Sequence, residues 1–305
     1  MLTTAATIAL LALAQTGAQP ETKTADKPAG TTAEAAAPLA PVTSVFEAAE
    51  LTLVADGCTF TEGPLWREGK LFFCDLAGDA IYTVVPGGKK DVFRKPASRP
   101  AGLATDPQGR LLTAHFAGLV TRTEKDGTVA TIAEKTGEEK LARCNDLAVR
   151  PDGVIYFTDF GGRNSKSRGL FRIDAAGTVA SLDTDYQAAN GVALTPDHKT
   201  LYVNDYGKQL VIAYDVTADG GVSNRRVFAD FSKETAEGRC DGIKVAPDGR
   251  VVTTAPGGVW VLTPGGERVT LLQHAEGASN IAFGGEDGRT LFITRADCVW
   301  SARLK

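Results

Sequence analysis

A chain of 305 residues with 43% hydrophobic content carries enough apolar side chain to bury a large core, and its length by itself suggests two domains. The formal net charge of −4, from 33 Lys and Arg against 37 Asp and Glu, leaves no broad basic face and so argues against nucleic acid as a partner. No run of like charge exceeds a few residues, so no charge-driven partner is implied.

The first element is apolar. Residues 5–14, Ala-Ala-Thr-Ile-Ala-Leu-Leu-Ala-Leu-Ala, are too few to cross a bilayer and are followed by small-residue cleavage sites at Ala12-Leu13-Ala14 and Thr16-Gly17-Ala18. Residues 1–18 therefore read as a signal peptide, although no Lys or Arg precedes the apolar stretch, and the protein is expected to be exported, periplasmic or secreted. Residues 19–45 read as a disordered linker, since from Gln19 to about Pro41 the chain is Ala, Thr, Pro, Lys and Glu with almost no large apolar residue to offset ordering entropy. No other long apolar stretch occurs, so no transmembrane segment is expected in the mature protein. Nothing in the sequence sets the oligomeric state.

From residue 46 to 305 the chain repeats one pattern six times. A small or polar residue opens a short apolar alternation, and a turn follows eight residues on in five units and seven in the first: Glu62 to Gly69, Ala101 to Gly109, Asn145 to Gly153, Asn190 to His198, Asp241 to Gly249 and Asn280 to Gly288. The leading residues lie 39, 44, 45, 51 and 39 positions apart, a period that means an array of small supersecondary units in one domain. Each turn is followed by a β-branched and aromatic run, such as Leu71-Phe72-Phe73-Cys74-Asp75 or Ile155-Tyr156-Phe157-Thr158-Asp159. Third and fourth strands follow, as in Gly258-Val259-Trp260-Val261-Leu262 and Arg268-Val269-Thr270-Leu271-Leu272. Four strands repeated six times predict an all-β, six-bladed β-propeller. The last unit stops after its third strand, Cys298–Leu304, so the alternating stretch Glu50–Ala55 is expected to close the ring as its fourth.

In a closed ring the leading residues share one height around one channel. Isolated Glu-Gly, Asn-Gly and Asp-Gly pairs are ordinary turn dipeptides. Six in phase, each seven or eight residues before a separate hairpin, call for another reason. Two acids and three Asn, without His or Cys, suit a hard divalent cation such as Ca²⁺, Mg²⁺ or Mn²⁺ better than a structural Zn²⁺. A second column at the ends of the second strands, Asp75, His115, Asp159, Asp205, Ala255 and Arg295, is expected to put charged side chains nearby. The five cysteines have no CxxC pair or zinc-ligand spacing and read mostly as buried free thiols.

The motifs Thr61-Glu62-Gly63-Pro64-Leu65-Trp66, Cys144-Asn145-Asp146-Leu147 with Thr158-Asp159, Ala189-Asn190-Gly191-Val192 and Cys240-Asp241-Gly242-Ile243 resemble those of the SMP-30/gluconolactonase/LRE-like family, in the same order, across residues 46–305. The resemblance implies a six-bladed propeller holding one divalent cation in its channel, Ca²⁺ first, with Mg²⁺, Mn²⁺ and Zn²⁺ left open. It implies hydrolysis of a small-molecule sugar lactone. It implies Glu62, Asn190 and Asp241 as metal ligands, with Arg143, Asn145 and His115 binding substrate. Asp241 is then also the catalytic base. Two departures, Ala101 where many members have Asn and the Gly161–Arg168 loop, touch the mouth of the pocket rather than the metal. No Gly-x-Ser-x-Gly elbow supports a covalent route. Hydrolysis of another ester or an organophosphate on the same scaffold, and a noncatalytic propeller with a structural metal, remain the competing readings.

Overall fold

The computed structural model describes residues 39–163 and 165–305, so the expected signal peptide and most of the expected linker lie outside the described residues. The six units form six four-stranded antiparallel sheets. In blade 1 the strands are Thr61–Arg67, Lys70–Asp75, Ala80–Val84 and Asp91–Arg94, paired in that order from the channel outward. The innermost strands of the other blades are Pro100–Thr105, Cys144–Val149, Ala189–Leu194, Ile243–Val245 and Ala278–Gly284. Each touches the innermost strands of both neighbouring blades, which closes the circle.

Burial explains the sequence of each strand. Second strands lie between blades on both faces: every residue of Leu111–His115, Ile155–Asp159 and Val251–Ala255 is buried, hence their unbroken apolar and Thr-rich runs. Fourth strands form the rim, and Asp91–Arg94 is mostly exposed. The turn at the fixed offset takes a left-handed backbone, with φ of 91° at Gly153 and 85° at Gly249, which is why Gly recurs there; His198 adopts the same conformation with φ of 58°.

Thr52–Ala55 pairs antiparallel with Cys298–Arg303, setting Thr52 opposite Ser301 and Leu53 opposite Trp300. The sixth blade thus takes its outer strand from the other end of the chain, as expected. Trp66 of blade 1 stacks on Phe292 of blade 6, ring centroids 5.4 Å apart, across the same junction.

The expected linker is shorter than its sequence suggested. The compact unit begins at Leu39, not at residue 46. The backbone N–H of Ala40 donates to the Val269 carbonyl at 2.9 Å, and Val45 and Phe46 are buried among Val259, Leu272, Ile281 and Leu291. Low apolar content hid this segment because one buried Phe and one Val carry its packing. All five cysteines are free; Cys74, Cys144 and Cys240 are buried, and Cys58 and Cys298 are half-buried.

Candidate active site

Pairing is irregular where the leading residues sit. The ladder between first and second strands shifts register between Glu62 and Leu65, Cys144 and Leu147, Ala189 and Val192, and Ala278 and Asn280. Such bulges bend the strand and re-aim a side chain. Here they turn Glu62, Asn145, Asn190 and Asn280 inward, while Asp241 lies just ahead of its strand. The Gly after a leading residue is a matter of space. A Cβ on Gly191 would run into the carbonyl oxygen of Asp241, and one on Gly242 into the Asn280 side chain. In these blades the strand therefore rests on the leading residue of the next.

The leading residues are buried: Glu62 is 3% exposed, Asn145 5%, Asn190 3% and Asp241 9%. Glu62 Oε2 accepts hydrogen bonds from the Gly63 N–H at 2.8 Å and from Asn280 Nδ2 at 3.1 Å. The Gly191 N–H, next to Asn190, donates to the Asp241 carbonyl at 2.8 Å. Asn204 Nδ2 donates to the Asp241 carbonyl at 2.9 Å, and the Asp241 N–H donates to Thr254 Oγ1 at 3.1 Å, so two residues of the second strands fix this backbone. Among the leading residues three buried oxygens are left without partners: Oδ1 of Asn145, of Asn190 and of Asp241. An orphaned buried acceptor costs about 1–3 kcal/mol, so three on neighbouring positions of one tier require a common explanation.

Two residues that the sequence pattern did not single out complete the channel. Asp146 is 1% exposed and pairs with Lys244 Nζ at 3.1 Å, joining blade 3 to blade 5. Asp146 occupies the position where units one, two, four and five have Gly, and that exception was the available signal. Three buried carboxylates, Glu62, Asp146 and Asp241, face one ammonium. With all three ionised, as a bound cation would favour, the balance is two negative charges, the complement of one divalent cation. Among the described residues no three His, Cys, Asp or Glu side chains cluster as a metal site by themselves. The donor set that fits is mixed: carboxylates of Glu62 and Asp241 with amide oxygens of Asn190 and Asn145, all hard oxygen ligands.

Burial raises the pKa of Glu62 from 4.5 to about 7, opposed by its hydrogen bonds to Gly63 and Asn280 and aided by the charge of Asp146. Burial, and then the charges of Glu62 and Asp146, push Asp241 well above the usual carboxylate range. Both folded-state values lie above the unfolded ones, so the metal-free native state binds more protons than the unfolded chain. That stability is complete below about pH 4.5 and is lost as pH rises through about 7. In chelator the melting temperature is therefore expected to fall between pH 5 and pH 8. Added Ca²⁺ should raise it most at pH 8, above the pKa of Glu62. Thermal denaturation at both pH values checks this; a calcium effect larger at pH 5 would contradict the site.

The second column has a different task from the one its position suggested. Asp159 Oδ1 accepts from the backbone N–H of Arg143 at 2.9 Å and of Gly161 at 2.8 Å, and its Oδ2 from Ala142 at 2.8 Å. Asp75 and Asp205 hold the corresponding loops of blades 1 and 4 in the same way. His115 occupies the equivalent place in blade 2. Its Nδ1 lies 2.9 Å from the Ala97 carbonyl and its Nε2 2.8 Å from Thr121 Oγ1, and burial lowers its pKa to about 4. A neutral ring with both nitrogens engaged has none left for a substrate. The expectation that His115 binds substrate is thus met by a loop clamp instead.

Arg143 and Asn145 flank Cys144, which packs in the core between blades, so both turn away from that core. The Arg143 guanidinium lies over the Phe116 ring, 5.4 Å from its centroid, on the face where the chain passes from blade to blade. On that face a cavity of about 440 Å³ is lined by Phe60, Tyr206, Arg239, Asp241 and Ser279 among others, so Asp241 is reachable from outside.

Comparison with known proteins agrees with this geometry. The chain is 26% identical to a gluconolactonase of Zymomonas mobilis over 291 residues, 84% of this chain and 81% of that one. It is 28% identical to a pentonolactonase of Haloferax volcanii, covering 81% and 85% of the two chains. A gluconolactonase structure from Xanthomonas campestris superposes with a TM-score of 0.75 at 28% identity, covering 84% of this chain and 89% of the other. The SMP-30/Gluconolactonase/LRE-like region matches residues 60–297, and with that span of six blades and its ring of inward-turned oxygens, the chain belongs to the SMP-30/gluconolactonase/LRE-like family.

Proposed function

We propose that this protein is a divalent-metal-dependent hydrolase of sugar lactones. The observation that carries the reading is the channel's oxygen tier: three orphaned amide and carboxylate oxygens and a surplus of two buried negative charges, open to a cavity. The named relatives that hydrolyse lactones support the substrate class.

Glu62, Asn190 and Asp241 would hold the cation, which when bound supplies Lewis-acid polarisation of an ester carbonyl and acidifies a water. The remaining work falls to side chains. Asp241 Oδ1, which has no hydrogen-bond partner, takes the proton of the attacking water, the role of a carboxylate positioned beside the nucleophile. Arg143 and Asn145 donate hydrogen bonds to the carbonyl oxygen as negative charge develops on it. Ring opening then releases the hydroxy acid. The Asp146–Lys244 pair joins two blades across the channel and sets its charge, without a part in proton transfer.

A pH-indicator assay of aldonolactones, with chelated protein resupplied with Ca²⁺, Mg²⁺, Mn²⁺ or Zn²⁺, tests the reading. Turnover is expected only with cation present. Lactone hydrolysis at full rate in chelator rejects the metal dependence, and hydrolysis of simple aryl esters or phosphotriesters without any lactone turnover rejects the substrate class.

A further inference from the structure

Two residues outward from each leading residue lies one position per blade, where the chain enters the innermost strand: Phe60, Arg99, Arg143, Ala188, Arg239 and Ala278. Four of these positions share one backbone contact, and in blade 5 the Arg239 carbonyl accepts from Thr254 Oγ1 at 3.3 Å. The N–H of the residue after the second strand donates to their carbonyls in four blades, Leu76 to Phe60, Phe116 to Arg99, Phe160 to Arg143 and Tyr206 to Ala188, each at 2.8–2.9 Å. Three of the six are arginines. All three are exposed on the same face of the ring, above the oxygen tier.

Their surroundings keep them free for a ligand. Among the described residues none of the three has a carboxylate within 4.0 Å of its guanidinium, whereas ten other arginines of the chain are so paired. The nearby acids are spent on backbone: Asp79 accepts the N–H of Arg99, and Asp159 that of Arg143. The guanidinium groups lie on aromatic faces instead, Arg99 and Arg143 on Phe116 at 5.3 and 5.4 Å and Arg239 on Tyr206 at 5.9 Å. Phe116, Phe160 and Tyr206 form one arc, with centroids 5.7 and 5.5 Å apart. Stacking holds a guanidinium without using its N–H groups, which remain available for bidentate contact with an anion. Two like charges on one phenyl ring repel each other unless an anion lies between them. The arc reaches the oxygen tier, since Tyr206 and Arg239 line one cavity with Asp241.

We propose that the substrate is an anionic sugar lactone, one whose far end bears a carboxylate or phosphate held by the rim of stacked arginines to which Arg99 and Arg239 belong, while the lactone carbonyl faces Asp241. This rests on the lactonase reading and adds the charge of the substrate to it. The test compares kcat/KM for glucono-1,5-lactone with that for 6-phosphogluconolactone and for glucaro-1,4-lactone, in calcium-loaded full-length protein. A preference of at least tenfold is expected for one or both anionic lactones, shrinking as salt rises from 0.02 to 0.5 M. Which of the two is preferred separates a phosphate from a carboxylate end group. Arg99→Ala and Arg239→Ala should each cut the preference about tenfold, roughly the worth of one charge-assisted hydrogen bond. Arg289→Ala, at the hairpin on the opposite end of blade 6, should leave it unchanged. Hydrolysis of neutral and anionic lactones at equal efficiency, or a preference indifferent to Arg99 and Arg239, overturns the anion assignment and leaves the lactonase standing. Absence of turnover with every lactone overturns both.

Discussion

Asp241→Ala is expected to lower kcat/KM for any lactone the wild type turns over by about 10³-fold, the middle of the range for loss of a positioned acid–base group. The same change should weaken cation binding, because it removes one of two carboxylates from the donor set and leaves the charge surplus at one. Asp241→Asn separates the two roles. It keeps an oxygen for the cation and nearly the same volume, but cannot take a proton. If Asp241 acts as base, Asn should recover folding and much of the calcium-dependent rise in melting temperature while turnover stays as low as in the Ala variant. Steady-state kinetics and calcium titration of the three proteins decide it. Asn retaining wild-type turnover would show Asp241 to be a ligand only, and Ala retaining both metal and turnover would remove it from the site. The backbone here is held by Thr254 and Asn204, so neither substitution should disturb the fold.

The second large effect concerns ring closure. Removal of residues 39–55 is expected to abolish cooperative unfolding and to cause aggregation. The deletion strips the outer strand from blade 6, baring the Cys298–Arg303 edge to pairing with other chains. It also uncovers the cluster of Val259, Leu272, Ile281, Leu291 and Ile293 that Val45 and Phe46 cover. Phe46→Ala grades the same contact more gently. Phe46 is fully buried, and its truncation should cost about 3–5 kcal/mol, a drop in melting temperature on the order of 10 °C for a domain of this size. Losing strand and staple together approaches the whole stability of a typical domain. Circular dichroism melts and light scattering check both variants. A truncated protein that melts at the wild-type temperature would mean that blade 6 stands without its borrowed strand.

The six units were legible in the sequence because their signals are local. A left-handed turn needs Gly153 or Gly249, a strand buried on both faces needs Ile155–Phe157 or Val251–Val252, and both recur at a fixed offset whatever the rest of the chain does. The missing fourth strand of the last unit pointed in the same way to Thr52–Ala55, since an open edge has to be paired. The chemical class of the oxygen tier followed from counting acids and amides at one height.

What the tertiary structure decided depends on partners far apart in the chain. That Asp146 is buried against Lys244, 98 residues later, fixes the charge of the channel, and no local pattern relates the two. That Asp75, Asp159, Asp205 and His115 clamp loops rather than face the channel depends on which way each side chain leaves the end of its strand. That Arg99, Arg143 and Arg239 share one rim depends on closure of the ring, which alone brings blades 2, 3 and 5 to a common mouth. Sequence periodicity determined the blades because backbone geometry repeats with the residues that dictate it. The site needed three dimensions because hydrogen bonds and charges act through space, between blades whose order in the ring says nothing of which atoms they present.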